Sequence, residues 1–111
     1  MYHLAFTMIF LSILAGSSIS GLVKDVETDK IIENVNILLK NSNLGTVTNK
    51  DGNFKIRNLP IGNHQISFSM IGYKTFSKNI YLNENNQEFL IVSLEKDPIQ
   101  WKAVNVMGLI P

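Results

Sequence analysis

The chain has 111 residues, a formal net charge of +1 from ten Lys and Arg against nine Asp and Glu, and no cysteine. This length accommodates a single domain, and the balanced, scattered charge excludes the basic patch that nucleic-acid binding or a polybasic membrane anchor requires. The missing cysteine excludes disulfides and a cysteine-linked lipid anchor, so the fold must be stabilised by burial alone.

The N-terminal segment has the pattern of a secretory leader. Residues 4–16 form an uncharged apolar run, and small residues follow it in the stretch "GSSIS". This pattern predicts a signal peptide at residues 1–18, cleaved after Ser17 or Ser18. The run is shorter than the roughly 20 residues that a transmembrane helix needs. We therefore expect an exported protein, with a permanent membrane anchor as the alternative.

From residue 19 to residue 96 the dominant pattern is alternation with period two between turn residues, which is typical of half-buried strands. The predicted strands are residues 19–26, 35–39, 45–49, 54–56, 64–70, 76–82 and 89–95. The side chains expected on the core face include Val35, Ile37, Leu39, Ile66, Phe68, Met70, Leu90, Val92 and Leu94. Residues 27–35 are too brief for a helix and are expected to form a loop or wide turn. The prediction is an all-β, seven-stranded antiparallel β-sandwich.

The stretch "NKDGNF" is the first candidate for a binding site. Asp51 and Gly52 lie between two alternating strands, and such a pair favours a hairpin turn because the turn needs positive φ. The alternating oxygen-bearing side chains also suggest a calcium loop. An EF-hand placed on Gly52 would put Val47 and Asn58 at its first and last ligand positions, and neither is a carboxylate. The turn is therefore preferred, and no metal site is predicted.

His64 is the only histidine after the predicted leader, and it begins a strand whose parity turns it towards the core edge. Zinc would need further His or Cys ligands, which the mature chain lacks. Spacing leaves a Ser–His–Asp arrangement open, with Ser67 or Ser69 and Asp51, but no serine has the glycine pattern of a nucleophile elbow. We expect no catalytic residue, no cofactor and no enzymatic activity.

Two further turns follow from proline and glycine. Pro60 and Gly62 together predict a turn in the stretch "NLPIGNH". Gly72 before Tyr73 predicts a bulge or bend that lets the tyrosine ring cover the edge of the sandwich while its hydroxyl stays in water. Packing is the preferred role of Tyr73, and binding is the alternative.

The tail, residues 97–111, contains the only tryptophan, Trp101, beside the short apolar stretch "AVNVMG". An aromatic residue next to a β-prone run is what a strand-donating contact would use, so Trp101, Val104 and Val106 are the candidate partner-contact residues. The alternative is a tail that folds back onto the domain.

The order of these motifs resembles the carboxypeptidase regulatory-like domain, which has a transthyretin-like β-sandwich fold. The motifs are G-x-V-x-D, G-T-x-T-x-x-x-G-x-F, L-P-x-G and I-G-Y. They correspond here to Gly21, Val23 and Asp25; Gly45, Thr46, Thr48, Gly52 and Phe54; Leu59, Pro60 and Gly62; and Ile71, Gly72 and Tyr73. The resemblance covers about residues 18–96 and implies a fold without implying an activity.

The arrangement of leader, domain and tail is similar to the N-terminal extension of TonB-dependent outer-membrane receptors, including SusC-like importers. In those receptors a TonB-box-like segment follows the domain, and here residues 101–108 take that place, with Ala103 and Asn105 departing from the usual pattern. The resemblance implies a non-catalytic module of a nutrient-import receptor, in the periplasm and outer membrane of a Gram-negative bacterium. Its partners would be a TonB-type protein or the receptor's plug and barrel. The alternatives are a secreted or surface module that binds carbohydrate or protein, and an accessory domain of a secreted peptidase.

Overall fold

The computed structural model describes residues 16–100, which form two β-sheets with a shared core. The strands are β1 (Ser17–Asp25), β2 (Asn36–Leu39), β3 (Gly45–Val47), β4 (Asn53–Leu59), β5 (Gly62–Ser69), β6 (Phe76–Leu82) and β7 (Gln87–Leu94). The predicted all-β sandwich is confirmed, and residues 27–35 form the expected turns and loop. No helix in this part of the chain has the length and hydrophobicity needed to cross a bilayer.

One sheet has the strand order β4-β1-β7, and the other has the order β3-β2-β5-β6. Pairing is antiparallel as predicted, except that β1 and β7 are parallel along their whole register, from Ser18 opposite Gln87 to Asp25 opposite Leu94. Parallel neighbours need a long connection, and here strands β2 to β6 provide it. Period-two alternation does not encode strand direction, so the sequence could not reveal this pairing.

The core consists of the alternating apolar residues that the sequence predicted. Ile66 and Phe68 on β5 are fully buried, as are Val35 and Ile37 around the start of β2. The Phe68 ring meets Phe54 of the opposite sheet edge-to-face, with centroids 5.5 Å apart and an interplanar angle of 70°. Aromatic pairs of this geometry add stability beyond the burial of their area. Met70 and Leu90 are partly buried and pack against the cluster.

The first strand begins two residues earlier than the predicted strand at 19–26. Ser17 and Ser18 are the last two residues of the predicted leader (residues 1–18), and both lie buried in β1. The Ser17 hydroxyl donates to the Asn83 carbonyl oxygen at 2.6 Å and accepts from the Asn86 amide at 3.0 Å. These bonds attach the start of β1 to the turn before β7.

Candidate functional site

The most distinctive polar group of the structure is the buried carboxylate of Asp25, at the end of β1. Its Oδ1 accepts from the backbone amides of Glu27 at 2.8 Å and Thr28 at 3.1 Å. Its Oδ2 accepts from the Tyr73 hydroxyl at 2.8 Å, and the Lys96 ammonium lies 3.8 Å away. We call Asp25, Tyr73 and Lys96 the acid–tyrosine cluster.

The chain comes together here because the segment after β7 pairs with the segment after β5. Tyr73 and Lys96 form an antiparallel bridge, and the Lys74 amide donates to the Glu95 carbonyl oxygen at 2.8 Å. This pairing carries Tyr73 and Lys96 to the end of β1, where Asp25 lies. The cluster therefore connects one sheet to the edge of the other.

The electrostatics of the cluster favour one fixed protonation state. Burial by itself raises the pKa of Asp25, but the hydrogen bonds from Thr28, Tyr73 and Glu27 and the charge of Lys96 outweigh burial, so the pKa is lowered from its usual 3.8. Burial, the hydrogen bond to Asp25 and the charge of Asp25 raise the pKa of Tyr73 to about 12. A general acid or base works best with a pKa near the operating pH. The two groups are thus suited to holding the fold together and poorly suited to proton transfer.

The prediction that the Tyr73 hydroxyl stays in water is wrong. Gly72 has a φ of 89° and makes the expected bend, but the bend turns the hydroxyl towards a buried acceptor. A buried carboxylate is costly unless its oxygens are hydrogen-bonded, and Tyr73 supplies one of the bonds that Asp25 needs. Asp25 and Tyr73 both belong to the family motifs, and this shared membership is the sequence signal for their contact. Neither periodicity nor burial reveals it.

Thr48, from the second motif, is also committed to the fold. Its hydroxyl donates to the Ile32 carbonyl oxygen at 2.7 Å and accepts from the Val35 amide at 2.9 Å. With 1% of its surface exposed, it satisfies two backbone groups that would otherwise be buried without partners. Among the described residues, no buried side-chain nitrogen or oxygen lacks a hydrogen-bond partner.

The stretch "NKDGNF" is a tight turn as predicted, but the predicted hairpin is wrong, because β3 and β4 belong to different sheets and the turn carries the chain from one sheet to the other. The Asn49 side-chain oxygen accepts from the backbone amides of Asp51 and Asn53, each at 3.0 Å, and the Asn49 carbonyl oxygen accepts from Gly52. Gly52 has a φ of 76°, which supports the positive-φ argument for the turn. The Asn49 oxygen that a calcium loop would use is occupied by the backbone.

The structure does not assemble the Ser–His–Asp alternative. His64 lies on the inward side of β5 and its Nε2 donates to the Pro60 carbonyl oxygen at 2.7 Å. Ser67 and Ser69 alternate with the buried residues of β5 and face outward, and Asp51 lies in the turn between β3 and β4. Within residues 16–100, no three His, Cys, Asp or Glu side chains are grouped as metal ligands would be. The candidate tail residues Trp101, Val104 and Val106 lie outside the described residues.

A comparison with family models identifies the domain type. The sequence model of the CarboxypepD_reg-like domain matches residues 19–106. No curated protein matches the chain at a significant level.

Among solved structures, the BcpA major pilin subunit of Bacillus cereus aligns with a TM-score of 0.62 and 17% identity, covering 75% of this chain and 31% of the pilin. The cohesin–X-dockerin complex of Acetivibrio cellulolyticus aligns with a TM-score of 0.61 and 15% identity, over 69% of this chain and 53% of that one. The 5-hydroxyisourate hydrolase of Klebsiella pneumoniae aligns with a TM-score of 0.59 and 16% identity, covering 73% of this chain and 91% of the hydrolase. Our chain spans about half or less of the pilin and cohesin–X-dockerin chains. At these identities the likeness shows a shared fold alone.

Proposed function

Because the chain belongs to the carboxypeptidase regulatory-like domain family, we propose that it is a non-catalytic β-sandwich module that acts through contacts with other molecules. The observation that supports this most directly is the acid–tyrosine cluster. Its buried carboxylate accepts three hydrogen bonds from the protein itself, and its pKa is shifted away from the range useful for proton transfer. The polar motif residues Asp25, Tyr73 and Thr48 are all occupied in holding the fold.

We place the module at the N-terminus of a TonB-dependent receptor that is exported to the periplasm and outer membrane. The order of apolar leader, sandwich and β-prone tail supports this placement, and the family match extends into the tail as far as residue 106. The partners would then be a TonB-type energy-coupling protein or the receptor's plug and barrel.

The contact would be made by the tail, with Trp101 as an aromatic anchor and Val104 and Val106 on one face of an added strand. Strand addition draws its affinity from main-chain hydrogen bonds and its specificity from alternate side chains. A proline within such a strand removes a backbone donor that the ladder requires. The backbone at Val104 is therefore the most sensitive point for a test.

The experiment measures binding of the full chain to a purified periplasmic domain of TonB by biolayer interferometry. We expect Val104→Pro to weaken binding at least about tenfold, the equivalent of 1.4 kcal/mol, whereas Val104→Ile keeps the β-branched side chain and should retain binding. Equal affinities of the wild-type chain and Val104→Pro, or no binding of the wild-type chain, would refute a tail-dependent TonB contact.

The second candidate is a secreted or surface module that binds carbohydrate or protein. It is favoured by the uncharged outer face that strands β2, β5 and β6 of the four-stranded sheet present. An open reading frame for a plug and barrel directly downstream in the genome would support the receptor proposal, and an isolated gene would support this one.

A further inference from the structure

The outer face of the four-stranded sheet is uncharged over three neighbouring strands. Strands β2, β5 and β6 present nine outward positions, which alternate with the inward positions in register. Eight of the nine side chains carry a hydroxyl or an amide, and the ninth is Leu38. We call this surface the neutral face, and its members are Asn36, Leu38, Asn63, Gln65, Ser67, Ser69, Ser77, Asn79 and Tyr81.

The strand register gathers these side chains into one continuous surface. On β5, Gln65 pairs with Asn79 of β6, and Ser67 lies between Leu38 of β2 and Ser77 of β6. Neighbouring strands are about 4.8 Å apart, and successive outward residues on one strand are about 6.7 Å apart. The face is therefore a closely spaced grid of hydrogen-bonding groups.

The hydrogen-bonding capacity of the neutral face is unused by the protein. None of its hydroxyl or amide side chains hydrogen-bonds to another group within residues 16–100. By contrast, some polar side chains elsewhere are bonded: Asn49 accepts from two backbone amides, and Ser17 both donates and accepts. Asn and Ser are also less suited to strands than β-branched residues. Their concentration on three paired strands points to a ligand rather than to sheet stability.

Two adjoining depressions of about 470 and 450 Å³ lie on this face and share Lys40, Asn41 and Gln65 in their walls. Among the described residues of the two walls, Lys40 is the only one with a permanent charge. Binding of nucleic acid draws its affinity from many Lys and Arg contacts to phosphate. Protein interfaces are enriched in aromatic residues, Met and Arg and depleted in Ser. Neither class of ligand matches this surface.

A neutral sugar chain does match it. Sugar hydroxyls donate and accept hydrogen bonds, and the amides of Gln65 and Asn79 offer both functions side by side. Tyr81 is 56% exposed at the edge strand and presents an aromatic ring with a polar tip, on which the apolar face of a sugar ring can pack. We propose that the neutral face binds an uncharged polysaccharide, with Gln65 and Asn79 bonding its hydroxyls and Tyr81 holding a sugar ring. This names a ligand class for the second candidate function and is independent of the TonB-receptor proposal.

The test is affinity electrophoresis of the full chain in native gels that contain dextran, galactomannan, xyloglucan or the anionic polygalacturonate. We expect retardation by at least one neutral polysaccharide and none by polygalacturonate. Tyr81→Ala should weaken the affinity about tenfold, and Gln65→Ala and Asn79→Ala should each weaken it about threefold to tenfold, as expected for single uncharged hydrogen bonds. Circular dichroism checks that each variant is folded.

The matched controls are Phe89→Ala and Gln87→Ala on β7. Phe89 is an aromatic residue of similar exposure, at 64%, on the edge strand of the other sheet, and its removal should leave retardation unchanged. Absence of retardation by every neutral polysaccharide overturns the proposal, as does equal loss in the controls. Loss of TonB binding on Tyr81→Ala without any sugar binding would instead assign the face to a protein partner.

Discussion

Replacing Tyr73 with phenylalanine tests whether the acid–tyrosine cluster stabilises the fold. The substitution keeps the ring and removes only the hydroxyl that donates to Asp25 Oδ2 at 2.8 Å. Asp25 has 4% of its side chain exposed, so water cannot readily replace the lost donor. Among the described residues, Oδ2 would then keep only the Lys96 ammonium at 3.8 Å, which is beyond hydrogen-bond distance.

The expected magnitude follows from the charge on the acceptor. A hydrogen bond to a charged group contributes about 1.5–3 kcal/mol, so we expect Tyr73→Phe to lower the free energy of unfolding by about that amount. For a domain of this size the change corresponds to about 6–20 °C in Tm. Tyr81→Phe is the matched control, because Tyr81 is exposed and its hydroxyl makes no hydrogen bond to any described residue. Its effect should stay within about 0.5 kcal/mol.

The pH dependence gives a second readout with a definite sign. The pKa of Tyr73 is raised from 10.0 to about 12 in the folded protein, so the native state keeps this proton longer than the unfolded state does. The contribution of Tyr73 to the free energy of unfolding is complete below pH 10 and is lost as the pH rises through about 12. The pKa of Asp25 is lowered from 3.8, so the contribution of Asp25 is present above the unfolded pKa and is lost as the pH falls through the lower folded value.

The assay is urea unfolding followed by far-ultraviolet circular dichroism at pH 7, repeated at points between pH 2 and 5 and between pH 9 and 12. Compared with wild type, Tyr73→Phe should lose stability less steeply in the alkaline range. A stabilising role of the acid–tyrosine cluster is refuted if Tyr73→Phe costs no more than Tyr81→Phe, or if the alkaline profiles of wild type and Tyr73→Phe coincide.

Three other substitutions test the fold. Gly52→Ala should destabilise by about 2 kcal/mol or more in a thermal melt, because φ is 76° and a Cβ would lie 2.8 Å from that of Ile31; an unchanged Tm would contradict the positive-φ turn. Thr48→Val should lower the free energy of unfolding in urea by about 2–4 kcal/mol, because it leaves two backbone groups without partners. Thr48→Ser keeps the hydroxyl and should cost less. Similar losses for the two variants would show that the hydroxyl does not stabilise the fold. Ser17→Ala should lower Tm by several degrees by removing two hydrogen bonds, and an unchanged Tm would show that they are dispensable.

The strands and much of the core could be predicted from the sequence because they depend on neighbouring residues. Alternation along β5 placed Ile66 and Phe68 inward and Ser67 outward, and the structure has them so. The positive φ of Gly52 followed from the residue types of one turn. These features depend on the local sequence and not on which strand lies next to it.

The acid–tyrosine cluster could not be located in this way. Asp25 and Tyr73 are 48 residues apart, and the bend predicted at Gly72 placed Tyr73 at an edge without naming its partner. The same limit concealed the parallel pairing of β1 and β7, since period two is identical for both strand directions. Motif positions indicated that these residues mattered, but not which of them met.

By itself, then, the sequence determined which segments are strands, which faces are apolar and where the chain turns, because backbone preference and burial act over a few residues. Tertiary structure alone decided that Asp25 meets Tyr73 and that the outward residues of β2, β5 and β6 form one neutral face. The physical reason is that strand order and register follow from packing the whole core at once. No single strand shows the neutral face, because it forms only where the outward residues of three strands lie side by side.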